Sequence, residues 1–251
     1  MNFSNPYPHT NHEVYQHTFL QTIAAEVRFT SVYTPDEYWQ KFKKFGKEVF
    51  NLSITETPLD KDQYAELSSE KTETTYSFKN DAASVVLGPK GYKSFGDSMP
   101  VHFLAIKTFL KDVVPSAKIY TLSIEKKNRF PFHITLKNFD IKEALNYVFK
   151  TEHVKDMEYQ IENGQLVKVT KEAKVDLGNH ANILLTIGFQ VIDDASVNVL
   201  FDLKSSYSPP EGINMKILYN LAAELNDIMY DAFKYVVSEN IINVLKKCNG
   251  Q

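Results

Sequence analysis

The order of predicted elements repeats along this chain, and this repetition constrains the fold more than any single motif does. A strand, a helix, several strands and a closing helix fill the stretch 18–115, and the same order returns over 116–251. We therefore predict an α+β protein of two consecutive β-α-β(n)-α lobes, preceded by an extended N-terminal arm over 1–17. We expect the two lobes to share one sheet and one core.

Local signals predict the elements of the first lobe. Residues 18–32 alternate loosely and favour a strand, although LQTIAAEV also allows a helix. Thr34 and Pro35 are typical of a helix start, so a helix is expected over 34–49. The lobe is completed by a strand over 51–57, a polar connector over 58–69, a hairpin over 73–87 and a helix over about 99–113 with Asp97 or Ser98 as its cap.

The second lobe begins with a long extended segment over 118–136, in which Pro131 predicts a bend or bulge. Asp140 is the expected cap of the next helix. The apolar run over 183–192 predicts a strand that is buried on both faces. The remaining elements are strands near 157–161 and 166–169, a hairpin strand over 197–203 and a long helix over 213–246, in which Ser238 is a candidate cap for a separate last segment.

Each predicted lobe has the element order seen in each half of TATA-box-binding-protein-like folds. In those folds a curved antiparallel sheet carries helices on one face. The likeness concerns element order alone and implies no function. We accordingly expect antiparallel sheets with the helices packed on one face.

Charge and cysteine content restrict the class of protein. The formal net charge is −3 and no Lys/Arg run exceeds scattered pairs, so nucleic acid is not favoured as a partner. The one cysteine, Cys248, cannot form an internal disulfide. No long apolar run and no apolar signal core occur, so we expect no membrane association and a cytoplasmic location.

No motif with a known reaction accompanies the fold signals. G-x-S-x-G, H-E-x-x-H, G-x-G-x-x-G and Cys/His metal spacings do not occur. We therefore predict no catalytic residue, no cofactor and no metal. His9 and His12 are spaced for a metal on a helix, but their segment has no helical pattern and favours a solvated, mobile arm.

Two groups of charged residues are the candidate partner-binding sites. Glu26 and Arg28 bracket Val27 in the first strand, so both point away from the core, where an ion pair or a solvated face is the plain interpretation. Lys126, Lys127 and Arg129 form the compact basic stretch, near the bend expected at Pro131. This stretch favours either a solvated strand end or contact with an anionic partner.

Short segments across most of the chain resemble an uncharacterised family of prokaryotic proteins of roughly this length. The matching segments are Ala25-Glu26-Val27-Arg28-Phe29, Val85-Val86-Leu87-Gly88-Pro89 followed by Tyr92, the strand from Tyr120 to Asn128, and the helix from Leu225 to Ile242 with Phe233 and Val237-Ser238. The sequence matches the family pattern at Asn128 and differs from it at the preceding residues, Ile124-Glu125-Lys126-Lys127. The resemblance implies an association with mobile elements and antiphage defence, and it carries over no catalytic residue.

We expect a non-enzymatic binding or regulatory protein, which serves as a partner component of an antiphage-defence or toxin–antitoxin-like module. Its partner would be another protein chain of that module or a second copy of itself. Two alternatives stay open. One is a small-ligand or nucleotide-signal binder that uses a cleft between the helices and the sheet. The other is an enzyme whose site is assembled from dispersed residues such as Glu26, Arg28, Arg129 and His133.

Overall fold

The computed structural model describes residues 3–11, 19–30, 64–133, 140–162, 165–193 and 196–247, together with residues 37, 40, 41 and 44. These four isolated positions are helical. The rest of the helix predicted over 34–49, the strand predicted over 51–57 and Cys248 lie outside the described residues.

The described residues form a mixed α+β fold, as the sequence predicts. Its nine strands make one sheet in the order β2-β3-β4-β1-β5-β9-β8-β7-β6, and all neighbours are antiparallel. The strands are β1 (Leu20–Phe29), β2 (Tyr64–Ser69), β3 (Thr74–Lys79), β4 (Ala82–Leu87), β5 (Ile119–His133), β6 (Glu158–Glu162), β7 (Gln165–Gly178), β8 (Ala181–Asp193) and β9 (Ser196–Tyr207). The segment predicted as a polar connector over 58–69 therefore contains β2, and that prediction is wrong for residues 64–69.

The described helices are α1 (Phe95–Asp112), α2 (Ile141–Val148), α3 (Thr151–Val154), α4 (Leu218–Val236) and α5 (Glu239–Lys247), with a 3-10 turn at Met215–Ile217. Asp140 caps α2 as expected, because its Oδ1 accepts a hydrogen bond from the Lys142 N–H at 2.8 Å. The cap of α1 is Ser94, whose Oγ accepts from the Asp97 N–H at 3.1 Å. That helix consequently starts about one turn earlier than predicted.

The long C-terminal helix predicted over 213–246 is interrupted. Val237 is extended and forms an isolated antiparallel bridge with Phe149, so α4 ends at Val236. Ser238 then caps α5, with its Oγ accepting from the Ile241 N–H at 3.4 Å. The separate last segment suggested by Ser238 is confirmed.

The core lies between one face of the sheet, called the helix face here, and the helices. Every second residue of β1 from Ile23 onward is fully buried on this face, through Ala25 and Val27 to Phe29. Rings fill the space above the sheet: Phe201 lies 5.4 Å from Phe149, measured between ring centroids. These contacts make one continuous core beneath α1, α2, α4 and α5.

The opposite side of the sheet, called the polar face here, carries cross-strand charge pairs. Glu125 of β5 lies directly opposite Lys204 of β9, and Lys127 lies opposite Asp202. Opposite charges at paired positions support the register, since a slip of one residue would place them in the core. Strand β8 alternates between buried and partly exposed residues from Ala181 to Ile187, and Val191 and Ile192 near its end are both about half exposed. The prediction that this strand is buried on both faces is therefore wrong.

The bulge expected at Pro131 is absent from the pairing of β5 with β9, which is in continuous register from Leu122 to His133. The Arg129 N–H donates to the Phe19 carbonyl, which places the N–H side of residues 129 and 131 toward β1. Because β1 begins at Leu20, the imide nitrogen of Pro131 faces beyond the end of that strand. The proline therefore removes no hydrogen bond between the described strands.

Residues 3–11, the described part of the N-terminal arm, pack on the body, which corrects the expectation of a solvated, mobile segment for these residues. Phe3 is buried, and its ring lies edge-on to Tyr207 at 5.2 Å between centroids. Asp231 of α4 accepts hydrogen bonds from the Asn5 side chain at 2.8 Å and from the Thr10 N–H at 2.9 Å. The arm is thus held to α4 by hydrogen bonds to a buried carboxylate and to β9 by an aromatic contact.

None of the helices in the described part of the chain combines the length and apolar content needed to cross a membrane.

Candidate functional site

A cavity of about 370 Å³ lies between α4 and the helix face of the sheet, and we call it the α4 cavity. The first residues of β1, the middle of β5, the loop before α1 and one side of α4 enclose it. Its lining residues are Phe19, Leu20, Tyr92, Lys93, Ser94, Phe95, Gly96, Lys126, Asn128, Leu203, Tyr219, Ala223, Asn226, Asp227, Met229, Tyr230, Phe233 and Leu245. This volume is within the range of small-molecule sites in proteins.

Strand alternation brings Lys126 and Asn128 into this cavity. Lys126 is paired with Ile23 on one side and Leu203 on the other, and both of these neighbours are buried on the helix face. Residues directly opposite each other in antiparallel strands point to the same face. Lys126 therefore points toward α4 and away from the polar face.

Helical spacing supplies the opposite wall. The lining residues of α4 begin at Tyr219 and continue at Ala223, Asn226, Tyr230 and Phe233, which are three or four positions apart. Residues at this spacing form one stripe along a helix. The stripe is apolar except at its middle, where Asn226 and the adjacent Asp227 supply polar groups.

Lys126 is the most perturbed cation of the site. Burial lowers the pKa of its ammonium to about 8, and the attraction of Asp227 offsets only part of this effect. No hydrogen bond or ion pair to Lys126 is present among the described residues. A buried amine of this kind is partly neutral near physiological pH, in contrast to an ordinary lysine with a pKa of about 10.4.

Asn226 is the second polar group whose bonding is incomplete. Its side chain is buried with only 6% of the residue exposed, and its Oδ1 has no hydrogen-bond partner among the described residues. Its Nδ2 contacts Asp227 Oδ1 at a long 3.4 Å. A buried carbonyl oxygen without a donor costs about 1–3 kcal/mol, so a bound group that donates a hydrogen bond would be favoured here.

Asn128 and the aromatic residues are held in place by the fold. Asn128 Nδ2 donates to the Phe201 carbonyl at 2.9 Å, which fixes its amide beside Lys126. The ring of Tyr219 stacks on Phe95 at 6.1 Å between centroids. Burial raises the pKa of the Tyr92 phenol, which stays neutral. The site thus combines rigid aromatic walls with a small polar group of Lys126, Asn128, Asn226 and Asp227.

The structure divides the predicted basic stretch between two faces. Lys126 points into the α4 cavity, whereas Lys127 and Arg129 lie on the polar face. Lys127 Nζ is 3.6 Å from Glu125 Oε1, and Arg129 forms an ion pair with Asp202. The description of these three cations as one compact patch is wrong, because period-two alternation separates Lys126 from the other two.

The predicted pair Glu26 and Arg28 lies on the polar face. Arg28 Nε donates to Glu26 Oε1 at 2.7 Å, so the ion pair expected from their spacing is confirmed. This hydrogen bond raises the pKa of the guanidinium above its ordinary value. The two side chains thus form an ion pair with each other at the surface of the sheet.

The dispersed residues proposed for an enzyme site are not brought together. Arg28 pairs with Thr121, which is eight positions before Arg129 on β5. At ~3.3 Å per strand residue, this separation is ~26 Å. His133 is exposed at the far end of β5, opposite Ser196. These residues cannot act on one substrate atom.

A second, shallower cleft contains a pair that sequence reasoning left apart. Tyr76 of β3 and His102 of α1 meet at 2.6 Å between the phenol oxygen and Nδ1. Burial raises the pKa of Tyr76 to about 12 and lowers the pKa of His102. The phenol and a neutral imidazole form a stable hydrogen bond, which attaches α1 to the sheet.

Across the described residues, no group of three or more His, Cys, Asp or Glu side chains could hold a metal ion. A scan against protein-family models gives no match, and a search of curated proteins finds no significant relative. The resemblance to a prokaryotic defence-associated family therefore stays a prediction.

Proposed function

We propose that this protein binds a small organic molecule in the α4 cavity. The ligand would have a planar apolar body, which the aromatic walls accommodate, and one polar group near Lys126 and Asn226. The observation that carries this proposal is the polar group in the cavity wall: Asn226 Oδ1 is buried without a hydrogen-bond partner among the described residues, and Lys126, which lines the same cavity, makes no hydrogen bond to them either. A ligand that hydrogen-bonds to both groups would offset the free-energy cost of removing them from water in the folded protein.

Two fluorescent probes that share one skeleton test the proposal. N-phenyl-1-naphthylamine is neutral, and 1-anilinonaphthalene-8-sulfonate adds one anionic group to the same rings. We expect both probes to bind the native protein with one saturable site. Lys126→Met should weaken binding of the sulfonate and leave binding of the neutral probe within about twofold, since only the sulfonate uses the ammonium.

A cavity-filling variant supplies the matched control. Ala223 is half-buried in the cavity wall and Asn220 is exposed on the same helix. Ala223→Trp should therefore abolish binding of both probes, whereas Asn220→Trp adds the same side chain outside the cavity and should not. Equal binding by the two tryptophan variants would refute the proposal.

The role of a regulatory protein with a protein partner, predicted from the sequence, is a compatible second proposal. Such a protein could act in an antiphage-defence or toxin–antitoxin-like module by sensing a small molecule. The arm docked on α4 supports a regulatory role, because Asp231 holds the arm one turn along from the cavity residues Asn226 and Asp227. Protection of arm amides from hydrogen exchange, compared with and without the neutral probe, would test this link.

We further propose that the chain consists of two β-α-β(n)-α halves over 18–115 and 116–251, with a TATA-box-binding-protein-like order. The arrangement of the sheet supports this. The first strands of the two halves, β1 and β5, pair at its interior, and the last strand before each closing helix, β4 or β9, lies on their outer sides. The proposal concerns the origin of the fold and adds nothing to the argument for a ligand.

A further inference from the structure

The surroundings of the Lys126 amine are more apolar than those of a lysine that only binds anions. It stands between Ile23 and Leu203 on the helix face, and it has no hydrogen-bond partner among the described residues. Ordinary binding lysines keep a charged ammonium that is hydrated or paired. Lys126 instead lies in an apolar wall with one carboxylate, Asp227, near enough to interact electrostatically.

We propose that Lys126 captures an aromatic or conjugated aldehyde or ketone as an imine in the α4 cavity. This inference rests on the proposed function, because it requires that the cavity admits a planar ligand. The ligands would be carbonyl compounds, and a covalent C=N bond to Lys126 Nζ would hold them.

The chemistry balances without an oxidant or a reductant. The lone pair of the neutral Lys126 Nζ attacks the carbonyl carbon, a C–N bond forms as the C=O π bond opens, and one N–H proton moves to the oxygen. The nitrogen lone pair then forms the C=N bond, the C–O bond breaks, and the oxygen leaves with the second N–H proton as water. One carbonyl compound and one amine thus give one imine and one water.

Three features of the cavity favour these steps. Burial keeps a substantial fraction of the amine neutral, and only the neutral form is nucleophilic. Asp227 is exposed at the edge of the cavity, where its carboxylate can stabilise the positive charge of the protonated imine. The aromatic side chains Tyr219, Tyr230 and Phe233 flank the space in which a conjugated ring would lie.

Reductive trapping on the full chain tests the inference. The protein is incubated with 2-naphthaldehyde and sodium cyanoborohydride near neutral pH, and modified lysines are located by peptide mass spectrometry. We expect Lys126 to be modified at least ~10-fold faster than Lys127, since its neutral fraction exceeds that of an ordinary lysine by more than ~100-fold near pH 7.5. Lys126→Met should remove the main product, and Lys127→Met should retain it.

The variants and the neutral probe distinguish failure of the imine proposal from failure of the ligand-binding proposal. If N-phenyl-1-naphthylamine binds but Lys126 is trapped no faster than Lys127, the imine is excluded and the ligand-binding proposal stands. If the probe does not bind the native protein, the proposed function itself fails. Trapping that Ala223→Trp leaves unchanged would overturn the inference, because the reaction would then not depend on the cavity.

Discussion

Replacing Lys126 with Met should make the protein more stable, and the gain should depend on pH. Methionine retains a long flexible side chain that can lie between Ile23 and Leu203, but it carries no charge into the α4 cavity. Most core-directed substitutions destabilise, so the sign of this effect distinguishes a buried cation from a lysine at a solvated strand end.

The magnitude follows from the lowered pKa. The fall from about 10.4 in an ordinary lysine to about 8 in Lys126 corresponds to ~3 kcal/mol of destabilisation when both states are protonated. Water that enters the cavity reduces this cost, and methionine loses a little packing. We therefore expect the variant to gain about 1–3 kcal/mol near pH 7.

The pH dependence has a defined sign. Below about pH 8 the lysine is protonated in both states, so the full cost of burying the charge is present. Between about pH 8 and about pH 10.4 the folded protein releases its proton first, so the unfolded state binds more protons and stability rises with pH. The advantage of Lys126→Met should therefore fall by roughly half by about pH 9.5.

Urea denaturation of the two proteins, at about pH 7 and about pH 9.5, measures this directly. Lys127→Met is the matched control on the polar face, where an exposed ion pair contributes at most ~1 kcal/mol. Its effect should be small and nearly the same at both pH values. A Lys126→Met protein that is less stable than the native one, or a gain that is constant with pH, would refute the burial argument.

Two other predictions concern the packing around the site. Asp231→Asn should destabilise the protein by about 1–3 kcal/mol near pH 7, since the charged carboxylate accepts hydrogen bonds from Asn5 and Thr10. Burial raises the pKa of Asp231, but hydrogen bonds that lower it outweigh this effect, so the difference in unfolding free energy should begin to shrink as pH falls below ~4 and should vanish only below the lowered pKa of the folded protein. Phe201→Ala should cost ~3–5 kcal/mol in equilibrium denaturation, because the ring is fully buried against Phe149, and a loss below ~1 kcal/mol would contradict the core described above.

Local signals in the sequence were sufficient for much of the fold. Asp140 and Ser238 mark helix starts by the chemistry of their own side chains, and the structure uses both as caps. The alternation of β1 predicts a strand with Glu26 and Arg28 on one face, which is where they pair. Such features depend on a few neighbouring residues, so they are visible without tertiary contacts.

The candidate site was missed for a different reason. Leu122 and Ile124 are buried on the helix face of β5, and the same period of two places Lys126 and Asn128 beside them. That signal was present in the sequence, but the cluster of neighbouring cations suggested a solvated patch instead. Asn226 could not be connected to them from sequence, since one hundred residues separate it from Lys126 and only packing of α4 on the sheet brings them together.

Helix boundaries failed where a tertiary contact competes with helix propensity. Residues 213–246 have an almost continuous apolar stripe, which predicts a single helix. The helix ends instead where Val237 pairs with Phe149, while the Ser238 N–H donates to the Val148 carbonyl. Phe149 and Val148, which bond to the backbone at this interruption, lie about ninety residues earlier in the chain. The apolar stripe of the helix alone therefore cannot predict where the helix ends.

The most direct test of the account is the pH-dependent acetylation of individual lysines, measured by mass spectrometry with and without bound N-phenyl-1-naphthylamine. We predict that the Lys126 ammonium titrates with a pKa of about 8, well below that of an ordinary lysine at about 10.4. We also expect the probe to protect Lys126 from acetylation and to leave the acetylation of Lys127 unchanged. Reaction of Lys126 with an ordinary lysine pKa, or with no protection by the bound probe, would contradict the claim that this amine lines a ligand-binding cavity.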